Sequence, residues 1–454
     1  MPRLSRRDAL IAAGCALAAP HSVRAASAID LRVVSRSVDI AGRSAKALGF
    51  ASLPGGAIRL GPDERFAAIL VNELEESTLI HWHGQTPPTA QDGVPGLSQP
   101  ALAPGGRYAY DFPARPGTHW LHSHVGLQEQ SLLAAPMIVE DAADAERDEQ
   151  EVVVFLQDFT FRAPDEILEE LRGGGGAHAA HAAHGAVALN DVEHDAYLAN
   201  GRTLDDPEVV AVEPGGRLRL RVINASAATN FWLDLGDLTG RVVAADGDPV
   251  APVAGTRFPI AIAQRLDIRV DLPGWGSWPV LALREGGPQR TGLVLATAGA
   301  TVPRVEATGE AAAPALDLIL ERRLTAKGGL PRRPADRAFD IALTGGGPDY
   351  AWSLDDRVFG QHEPLDVRSG ERVALTLRNR TRMAHPMHLH GHHFQVVAID
   401  DEAFDGAMRD TVLVPIDGSV TLAFDADNPG HWALHCHNIY HMEAGMMTTL
   451  RYAA

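Results

Sequence analysis

The stretch SGERVALTLRN (369–379) joins a Gly-containing turn to an alternating run of apolar and polar residues that ends at Asn379. A run of this kind predicts a half-buried β-strand that follows a tight turn. The same pattern occurs twice earlier, as PGGRLRLRVIN (214–224) and GPDERFAAILVN (61–72), each with an Arg seven residues before its Asn. We therefore interpret the chain as three copies of one β-unit, which predicts an all-β protein.

The repeat continues beyond the strand. The positions nine and eleven residues after each Asn hold His81 and His83 in the first copy and His388 and His390 in the third, whereas the middle copy has Leu at both. A second shared block, ARPGTHWLHSH (114–124) and DNPGHWALHCH (427–437), ends in a further H-x-H pair. Its counterpart in the middle copy, DLPGWGSWPVLAL (271–283), contains no His.

These blocks predict three β-sandwich domains over residues 30–145, 150–300 and 315–454. The stretches EDAADAERDEQ and AGATVPRVEATGEAAAPA are the predicted linkers, because one is strongly charged and the other is rich in Ala, Pro and Gly. The outer domains carry matching histidines, and we interpret the middle domain as a spacer without metal ligands. A low-complexity, His-rich loop over residues 173–194 interrupts that domain.

The paired histidines predict a metal centre. Side chains at positions i and i+2 of a β-strand point to the same face, so each H-x-H pair presents two imidazoles together. Four pairs supply eight imidazoles, more than one ordinary zinc site needs. This donor set favours a multinuclear copper cluster.

The cysteine between two of these histidines predicts a second, separate site. Strand alternation turns the Cys436 thiol away from its two flanking imidazoles and into its own domain, where it can meet His385 and His441. Two His, one thiolate and a weak axial Met, here Met446, are the ligand set of a blue copper electron-transfer site. The covalent link between Cys436 and its neighbours gives an electron a short path from this copper to the cluster.

Together, the four motifs HWHG (81–84), HWLHSH (119–124), HPMHLH (385–390) and HCHNIYH (435–441) resemble the copper signatures of the multicopper oxidases. These are three-domain, laccase-like proteins built from Greek-key cupredoxin domains, and the resemblance covers the whole chain after residue 28. It implies four copper ions: a type 1 copper held by His385, Cys436, His441 and Met446, a type 2 copper held by His81 and His388, and two type 3 coppers held by His83, His122 and His437 and by His124, His390 and His435.

The resemblance also implies a reaction, in which four one-electron oxidations at the type 1 copper are coupled to the reduction of O₂ to two waters at the other three. Asp92 matches a family Asp that helps to deliver protons. At the position of a second family acid this chain has Met442, and Glu443 lies one residue late. The second proton-delivering acid is therefore left open.

The electron donor has two candidate classes. We predict laccase-like activity on phenols, aromatic amines or low-valent metal ions, with a dedicated cuprous oxidase for copper tolerance as the alternative. Met383 matches a Met that cuprous oxidases carry, but Thr381 replaces their Asp and no Met-rich insertion exists. The loop histidines are either part of a disordered insertion or a copper-capture loop; the candidate auxiliary copper ligands are Met383, His178, His181 and His184.

Two other classes of protein explain the sequence less well. In a copper-free structural protein of the cell envelope we would expect some ligands to be lost, yet all ten His positions, the Cys and the axial Met are filled. In a two-domain copper nitrite reductase we would expect no second His after the cysteine and no third domain. His437 and the length of the chain count against it.

The N-terminus predicts export. Residues 1–28 have a basic start, an apolar run and a small-residue finish, and Arg6 and Arg7 resemble a twin-arginine signal. An ordinary signal peptide, or a lipoprotein signal at Cys15, are the alternatives, and we predict a periplasmic protein. The net charge of −18 argues against nucleic acid as a partner, and no later apolar run is long enough to span a membrane. We expect a monomer with O₂ and a small electron donor as its partners.

Overall fold

The computed structural model describes residues 28–51, 53, 56–174 and 189–453. Within these ranges the strands form six sheets, two in each third of the chain. The all-β prediction is confirmed. The short helices are α1 (Ala142–Ala145), α2 (Pro164–Arg172), α3 (Ile319–Arg323) and α4 (Ile439–Glu443).

The first third of the chain forms two four-stranded sheets. Its strands are β1 (Ile29–Ile40), β2 (Arg43–Phe50), β3 (Ile58–Leu60), β4 (Arg65–Asn72), β5 (Ile80–His83), β6 (Arg107–Pro113), β7 (Gly117–Ser123) and β8 (Ala134–Val139). The strand orders are β2-β1-β4-β6 and β3-β8-β7-β5. Leu31 and Phe66 from one sheet and Trp82 and Met137 from the other share one buried core.

The middle third forms a six-stranded and a five-stranded sheet. Its strands are β9 (Gln150–Phe159), β10 (Ala196–Ala199), β11 (Val209–Val212), β12 (Arg217–Asn224), β13 (Phe231–Asp234), β14 (Gly240–Ala245), β15 (Asp248–Gly255), β16 (Arg257–Ile260), β17 (Arg265–Asp271), β18 (Ser277–Arg284) and β19 (Arg290–Thr297). The strand orders are β10-β9-β12-β17-β14-β15 and β11-β19-β18-β13-β16.

The last third repeats the arrangement. Its strands are β20 (Arg337–Gly345), β21 (Trp352–Leu354), β22 (Leu365–Val367), β23 (Arg372–Asn379), β24 (His385–Leu389), β25 (Phe394–Ile399), β26 (Glu402–Ala403), β27 (Met408–Arg409), β28 (Thr411–Val414), β29 (Ser419–Asp425), β30 (His431–Cys436) and β31 (Met447–Tyr452). One sheet runs β21-β20-β23-β29-β25-β26 with β27 beside β25, and the other runs β22-β31-β30-β24-β28.

The three units share one topology. In each, the strand of the sequence repeat pairs in parallel with the unit's first strand and antiparallel with a later one: β4 with β1 and β6, β12 with β9 and β17, β23 with β20 and β29. The next strand along belongs to the opposite sheet, where β5 pairs with β7, β13 with β18 and β24 with β30. Each repeat therefore leads from one sheet of a β-sandwich to the other.

The Asn that ends each repeat explains why the motif recurs. The side-chain amides of Asn72, Asn224 and Asn379 are buried, and each donates to one backbone carbonyl of the corner that follows and to one carbonyl of a segment 30–36 residues further along. The Oδ1 atom of each also accepts a backbone N–H two residues on. Buried backbone groups at a corner need such partners, so the Asn fixes the path by which the chain enters the histidine-bearing strand.

Among the described residues, no helix is both long enough and apolar enough to cross a membrane.

Candidate metal centres

Two strand pairs, one in the first domain and one in the third, carry the predicted histidine pairs. His81 lies opposite His122 across β5 and β7, and His388 lies opposite His435 across β24 and β30. The fold packs both pairs, with their partners two residues along, into one buried group. We call it the eight-histidine cluster: His81, His83, His122, His124, His388, His390, His435 and His437.

One part of the cluster is a tight triad of His124, His390 and His435. Their donor nitrogens all lie within 4.8 Å of one another. The Nε2 atom of His435 is 2.9 Å from Nε2 of His390 and 3.4 Å from Nε2 of His124. These three residues are the set that the family resemblance assigns to one type 3 copper.

The other five rings lie beside this triad. The rings of His83, His122 and His437, the second predicted type 3 set, have centroids 5.0–5.7 Å apart. The predicted type 2 pair, His81 and His388, has ring centroids 5.6 Å apart. The structure therefore brings together every histidine predicted for the three-copper cluster.

Burial keeps most of these imidazoles neutral. Burial is the main reason why the pKa values of seven of the eight are lowered. The pKa of His435 falls to about 3. The pKa values of the other six lie well below the usual value: His83, His122, His124, His388, His390 and His437. A neutral imidazole has one N–H and one free lone pair, which is the state that binds a metal ion.

Asp92 lies where the sequence predicts an acid near the cluster. Its Oδ2 atom is 2.9 Å from Nδ1 of His390, and its backbone carbonyl is 2.8 Å from Nδ1 of His81. Asp92 follows a 3₁₀ turn over Thr89–Gln91, and the next residue, Gly93, approaches the backbone of β5 closely. Gly93 makes this approach possible, because it has φ +86° and a Cβ atom there would lie 1.9 Å from the carbonyl oxygen of Ile80.

A second buried carboxylate, Asp410, was not found from the sequence. Its Oδ1 atom is 3.0 Å from Nε2 of His83, and its backbone carbonyl is 2.9 Å from Nδ1 of His388. Asp410 directly precedes β28, and 327 residues separate it from His83. No local pattern in the sequence indicates such a contact.

Glu129 is a third buried carboxylate of this kind. One of its oxygens is 2.7 Å from Nδ1 of His122, and the other is 4.0 Å from Nδ1 of His437. Burial, followed by the nearby Asp158 carboxylate, raises its pKa well above the usual value. Its position five residues after the H-S-H motif is the only sequence signal that could have found it. Each of the three carboxylates thus connects a histidine of the first domain with one of the third.

The predicted blue copper ligands form a separate group, the thiolate site: His385, Cys436 and His441. Both imidazole Nδ1 atoms lie 3.6 Å from the Cys436 sulfur and 3.1 Å from each other. All three side chains are fully buried. Burial raises the pKa of the free thiol well above its usual value, so a bound metal ion would have to supply the energy to deprotonate it.

The ring nitrogens of His385 and His441 that point away from the Cys436 sulfur, both Nε2, also have hydrogen-bond partners. Nε2 of His385 is 2.7 Å from the hydroxyl of Thr381, the residue that replaces the Asp of cuprous oxidases. Nε2 of His441 is 2.5 Å from Oδ2 of Asp191, which comes from the middle domain and was not predicted. Asp191 also accepts a hydrogen bond of 2.6 Å from the Tyr350 hydroxyl. The ring of Trp352 lies against His441, with centroids 4.1 Å apart.

The two predicted methionines are buried near this site. Met446 is fully buried, and its backbone bonds to both Cys436 and His441. Met383 is almost fully buried, and its carbonyl accepts the hydroxyl of Thr381. The loop histidines predicted as auxiliary ligands, His178, His181 and His184, lie outside the described residues.

Glu443, one residue late for the family acid, lies at the end of α4. It lines a cavity of about 550 Å³ together with Met442, Met447 and the cluster residue His124. Burial raises its pKa. The cavity therefore links an acidic side chain to the edge of the eight-histidine cluster, although no hydrogen bond between the described residues connects Glu443 to a histidine of the cluster.

The residues present fit bound copper. Five buried nitrogens in the eight-histidine cluster have no hydrogen-bond partner among the described residues: Nε2 of His81, His122, His388 and His437, and Nδ1 of His83. A buried polar atom without a partner is costly, and native proteins rarely retain one without a reason. Inward-facing lone pairs, with the opposite ring nitrogens bonded to oxygen in most cases, are the usual arrangement of metal-binding histidines.

Three cupredoxin-like β-sandwich domains with a thiolate site and an eight-histidine cluster define a multicopper oxidase. The chain belongs to that family: models described as multicopper oxidase match residues 35–144, 150–300 and 332–454. The protein is therefore an oxidoreductase that uses copper as its cofactor, O₂ as its electron acceptor and an electron donor.

Named relatives come from bacteria and fungi. The chain is 31% identical to multicopper oxidase MmcO of Mycobacterium tuberculosis, over 96% of this chain and 88% of that protein. It is 27% identical to a copper resistance protein A homolog of Pseudomonas syringae pv. tomato, over 93% and 92% of the two chains. The structure of a mutant of the laccase from Botrytis aclada superposes with a TM-score of 0.79 at 25% identity, over 93% and 87% of the two chains.

Proposed function

We propose that this oxidase holds four copper ions in the arrangement that its motifs suggest. His385, Cys436, His441 and Met446 hold the type 1 copper, and His81 and His388 hold the type 2 copper. One type 3 copper binds to His83, His122 and His437, and the other to His124, His390 and His435. The unpartnered nitrogens of the cluster and the 3.6 Å sulfur–nitrogen distances of the thiolate site support this assignment.

Copper bound in this way supplies one-electron redox chemistry at the thiolate site and four-electron chemistry at the cluster. The chain provides the connection between them, because Cys436 is covalently bonded to His435 and His437. Asp92 is the proposed proton-delivering group: it is fully buried, and its carboxylate faces the outer nitrogens of His81 and His390 at 3.2 and 2.9 Å.

For the electron donor we propose laccase-like activity on phenolic or other aromatic compounds and on metal ions. The observation that carries this proposal is the complete burial of the thiolate site behind Asp191 and Trp352. An electron donor then reacts through the protein, without contact to the thiolate or to the inner imidazole nitrogens. Transfer of this kind makes few demands on the shape of the donor.

A dedicated cuprous oxidase is the second candidate. Three relatives are named copper resistance protein A or a homolog of it. Met383 lies two residues before a thiolate-site His, and thioethers are soft ligands that suit Cu(I). We propose Met383, His178, His181 and His184 as auxiliary copper ligands in this case.

One experiment separates the two candidates. The kcat/KM values for Cu(I) and for a phenol are compared in the wild type and in a variant that lacks residues 175–188. If Cu(I) oxidation falls at least tenfold while phenol oxidation is unchanged, the loop serves copper. Equal kinetics in the two proteins would end the copper-loop proposal and leave the laccase-like one.

The copper assignment itself is tested by Cys436→Ser. We expect the wild type to hold four copper ions per chain and to be intensely blue, since a thiolate ligand gives type 1 copper its colour. The variant should be colourless and hold three. A wild-type protein that binds copper without becoming blue would contradict the type 1 assignment.

We also propose the domain limits 30–145, 150–300 and 315–454, a periplasmic location and a monomeric state. The parallel strand pairings at the start of each unit support the limits. The proposed twin-arginine signal, residues 1–28, lies outside the described residues except for its last one. Replacing Arg6 and Arg7 with Lys should leave the protein in the cytoplasm, and cell fractionation measures this.

A further inference from the structure

We propose that Arg265, a residue of the middle domain, is a positioning residue for the eight-histidine cluster. Its guanidinium group holds Asp410, and Asp410 decides which nitrogen of His83 faces the cluster. The inference rests on the proposed copper ligands. It gives the middle domain, interpreted from the sequence as a spacer, a direct role in the copper centre.

Arg265 is fully buried at the junction of the three domains, and all its donors are used. Nη1 and Nη2 donate to the two carboxylate oxygens of Asp410 at 2.7 and 2.5 Å. The three remaining N–H groups donate to backbone carbonyls at Thr118 of the first domain and at Asp246 and Ala263 of the middle domain. Only a planar fork with five N–H groups can satisfy this set of acceptors.

Asp410 in turn contacts His83. Nε2 of His83 lies 3.0 Å from Oδ1 of Asp410, and its Nδ1 atom is buried without a hydrogen-bond partner among the described residues. An ionised carboxylate only accepts hydrogen bonds. The proton of neutral His83 therefore sits on Nε2, and the lone pair of Nδ1 faces the cluster. The other four unpartnered cluster nitrogens are Nε2 atoms, so His83 needs a specific partner to hold the opposite tautomer.

The charge of Arg265 maintains this arrangement. Arg265 places its positive charge directly against both carboxylate oxygens of Asp410, and two charge-assisted hydrogen bonds favour the ionised form of that buried carboxylate. Asp92 and Glu129, the other two carboxylates at the cluster, form no ion pair with any described Arg or Lys.

The glycine of the H-W-H-G motif makes room for the guanidinium group. Gly84 directly follows His83 and has φ +87°. A Cβ atom at this position would lie 2.4 Å from Nη2 of Arg265 and 2.4 Å from Nδ1 of His119. Both values are far below van der Waals contact. The motif therefore encodes space for the middle-domain arginine as well as two of the ligands.

The test compares Arg265→Met with Arg219→Met. Arg219 is a matched control, since it is also a nearly buried Arg of the middle domain in an ion pair, with Asp267, but it has no contact with Asp410 or with the cluster. Copper per chain, blue absorbance per chain and steady-state kinetics are measured on the full-length, copper-loaded proteins.

We expect Arg265→Met to keep the blue absorbance, lose copper from the cluster and lower kcat roughly 10–100-fold, the usual cost of losing a group that orients a metal ligand. The KM for the electron donor should stay within about twofold, since the donor reacts at the thiolate site. Arg219→Met should match the wild type in all of these. Equal copper content and kcat in Arg265→Met and the wild type would overturn the proposal, and so would an equal loss in both variants.

If Arg265→Met does not fold, the proposal is tested with Arg265→Lys. Lys keeps the charge but has three donors in place of five. We therefore expect a partial loss of copper from the cluster and a kcat that is lower than in the wild type but still measurable. Wild-type values in Arg265→Lys would show that the forked contact is not needed. A wild type that itself lacks blue absorbance or cluster copper would refute the proposed function, which is a result distinct from any of these.

Discussion

Asp191→Asn tests how the middle domain influences electron entry. In the structure, Oδ2 of Asp191 lies 2.5 Å from Nε2 of His441, on the side of the ring opposite to the atom that faces Cys436. The substitution removes one negative charge and changes the size of the side chain very little. A carboxylate stabilises Cu(II) more than Cu(I), so its removal should raise the reduction potential of the type 1 copper.

The magnitude follows from the distance. One imidazole ring and one metal–nitrogen bond of about 2.0 Å place the carboxylate roughly 6–7 Å from a copper bound at Nδ1. With an effective dielectric constant of about 20, a unit charge at that distance contributes about 2.5 kcal/mol. For a one-electron couple this corresponds to a rise of about 100 mV.

The assay is a redox titration of the blue absorbance in the wild type and the variant. Asp195→Asn is the matched control, because it makes the same charge change on an exposed residue of the same segment, where solvent screens the charge. A potential that stays constant or falls in Asp191→Asn, or one that rises equally in both variants, would refute the reasoning.

Three further predictions concern the cluster and its supports. Asp92→Asn should slow the reaction of the fully reduced enzyme with O₂ by about 10²–10⁴-fold, the typical contribution of a proton-transferring group. Stopped-flow reoxidation measures this rate, and an unchanged rate would show that Asp92 does not deliver protons. Gly93→Ala should lower the free energy of unfolding by about 3 kcal/mol or more, because backbone strain and a clash with the Ile80 carbonyl add to each other. Gly105→Ala is the control: with φ +75° and nothing within 4 Å of a Cβ atom, it should cost only about 1–2 kcal/mol. Equal losses of the two variants in thermal unfolding would contradict the clash. Burial, followed by the charge of Arg265, lowers the pKa of His119 from 6.5 to about 3. Between these pH values the unfolded chain binds one more proton than the folded chain, so the free energy of unfolding rises with pH. His119→Gln should reduce this slope by up to about 1.4 kcal/mol per pH unit in urea unfolding of the copper-free protein at pH 4–6, and an unchanged slope would count against a neutral buried His119.

Much of the site follows from local sequence pattern. Strand alternation alone separates Cys436 from the histidines on either side of it, and the structure has those histidines in the cluster and the thiol beside His385 and His441. The spacing from Asn72 and Asn379 also pairs the two H-x-H strands correctly. These inferences succeed because side-chain direction along a strand is a property of the backbone, independent of distant contacts.

The second proton-delivering acid shows the limit of this reasoning. A family position pointed to Met442, with Glu443 displaced by one residue. The structure has Glu129 beside two cluster histidines, in the turn segment between β7 and β8 of the first domain, whereas Glu443 lies at the end of α4 in the third. The motif comparison considers only the position after the last thiolate-site His, whereas Glu129 follows the H-S-H motif of the first domain and lies near His437, more than 300 residues away, only because the two domains pack together.

The sequence by itself determines three β-units, their histidine-bearing strands and the opposite orientation of the lone thiol, because these depend on repeats and on a two-residue period. Only the tertiary structure decides that Asp191 meets His441 across 250 residues, and that Asp410 meets Arg265 across 145 and His83 across 327. These contacts depend on how three folded domains pack against one another. That packing buries charged groups where only particular partners satisfy them, and no local pattern in a single sequence records the partner.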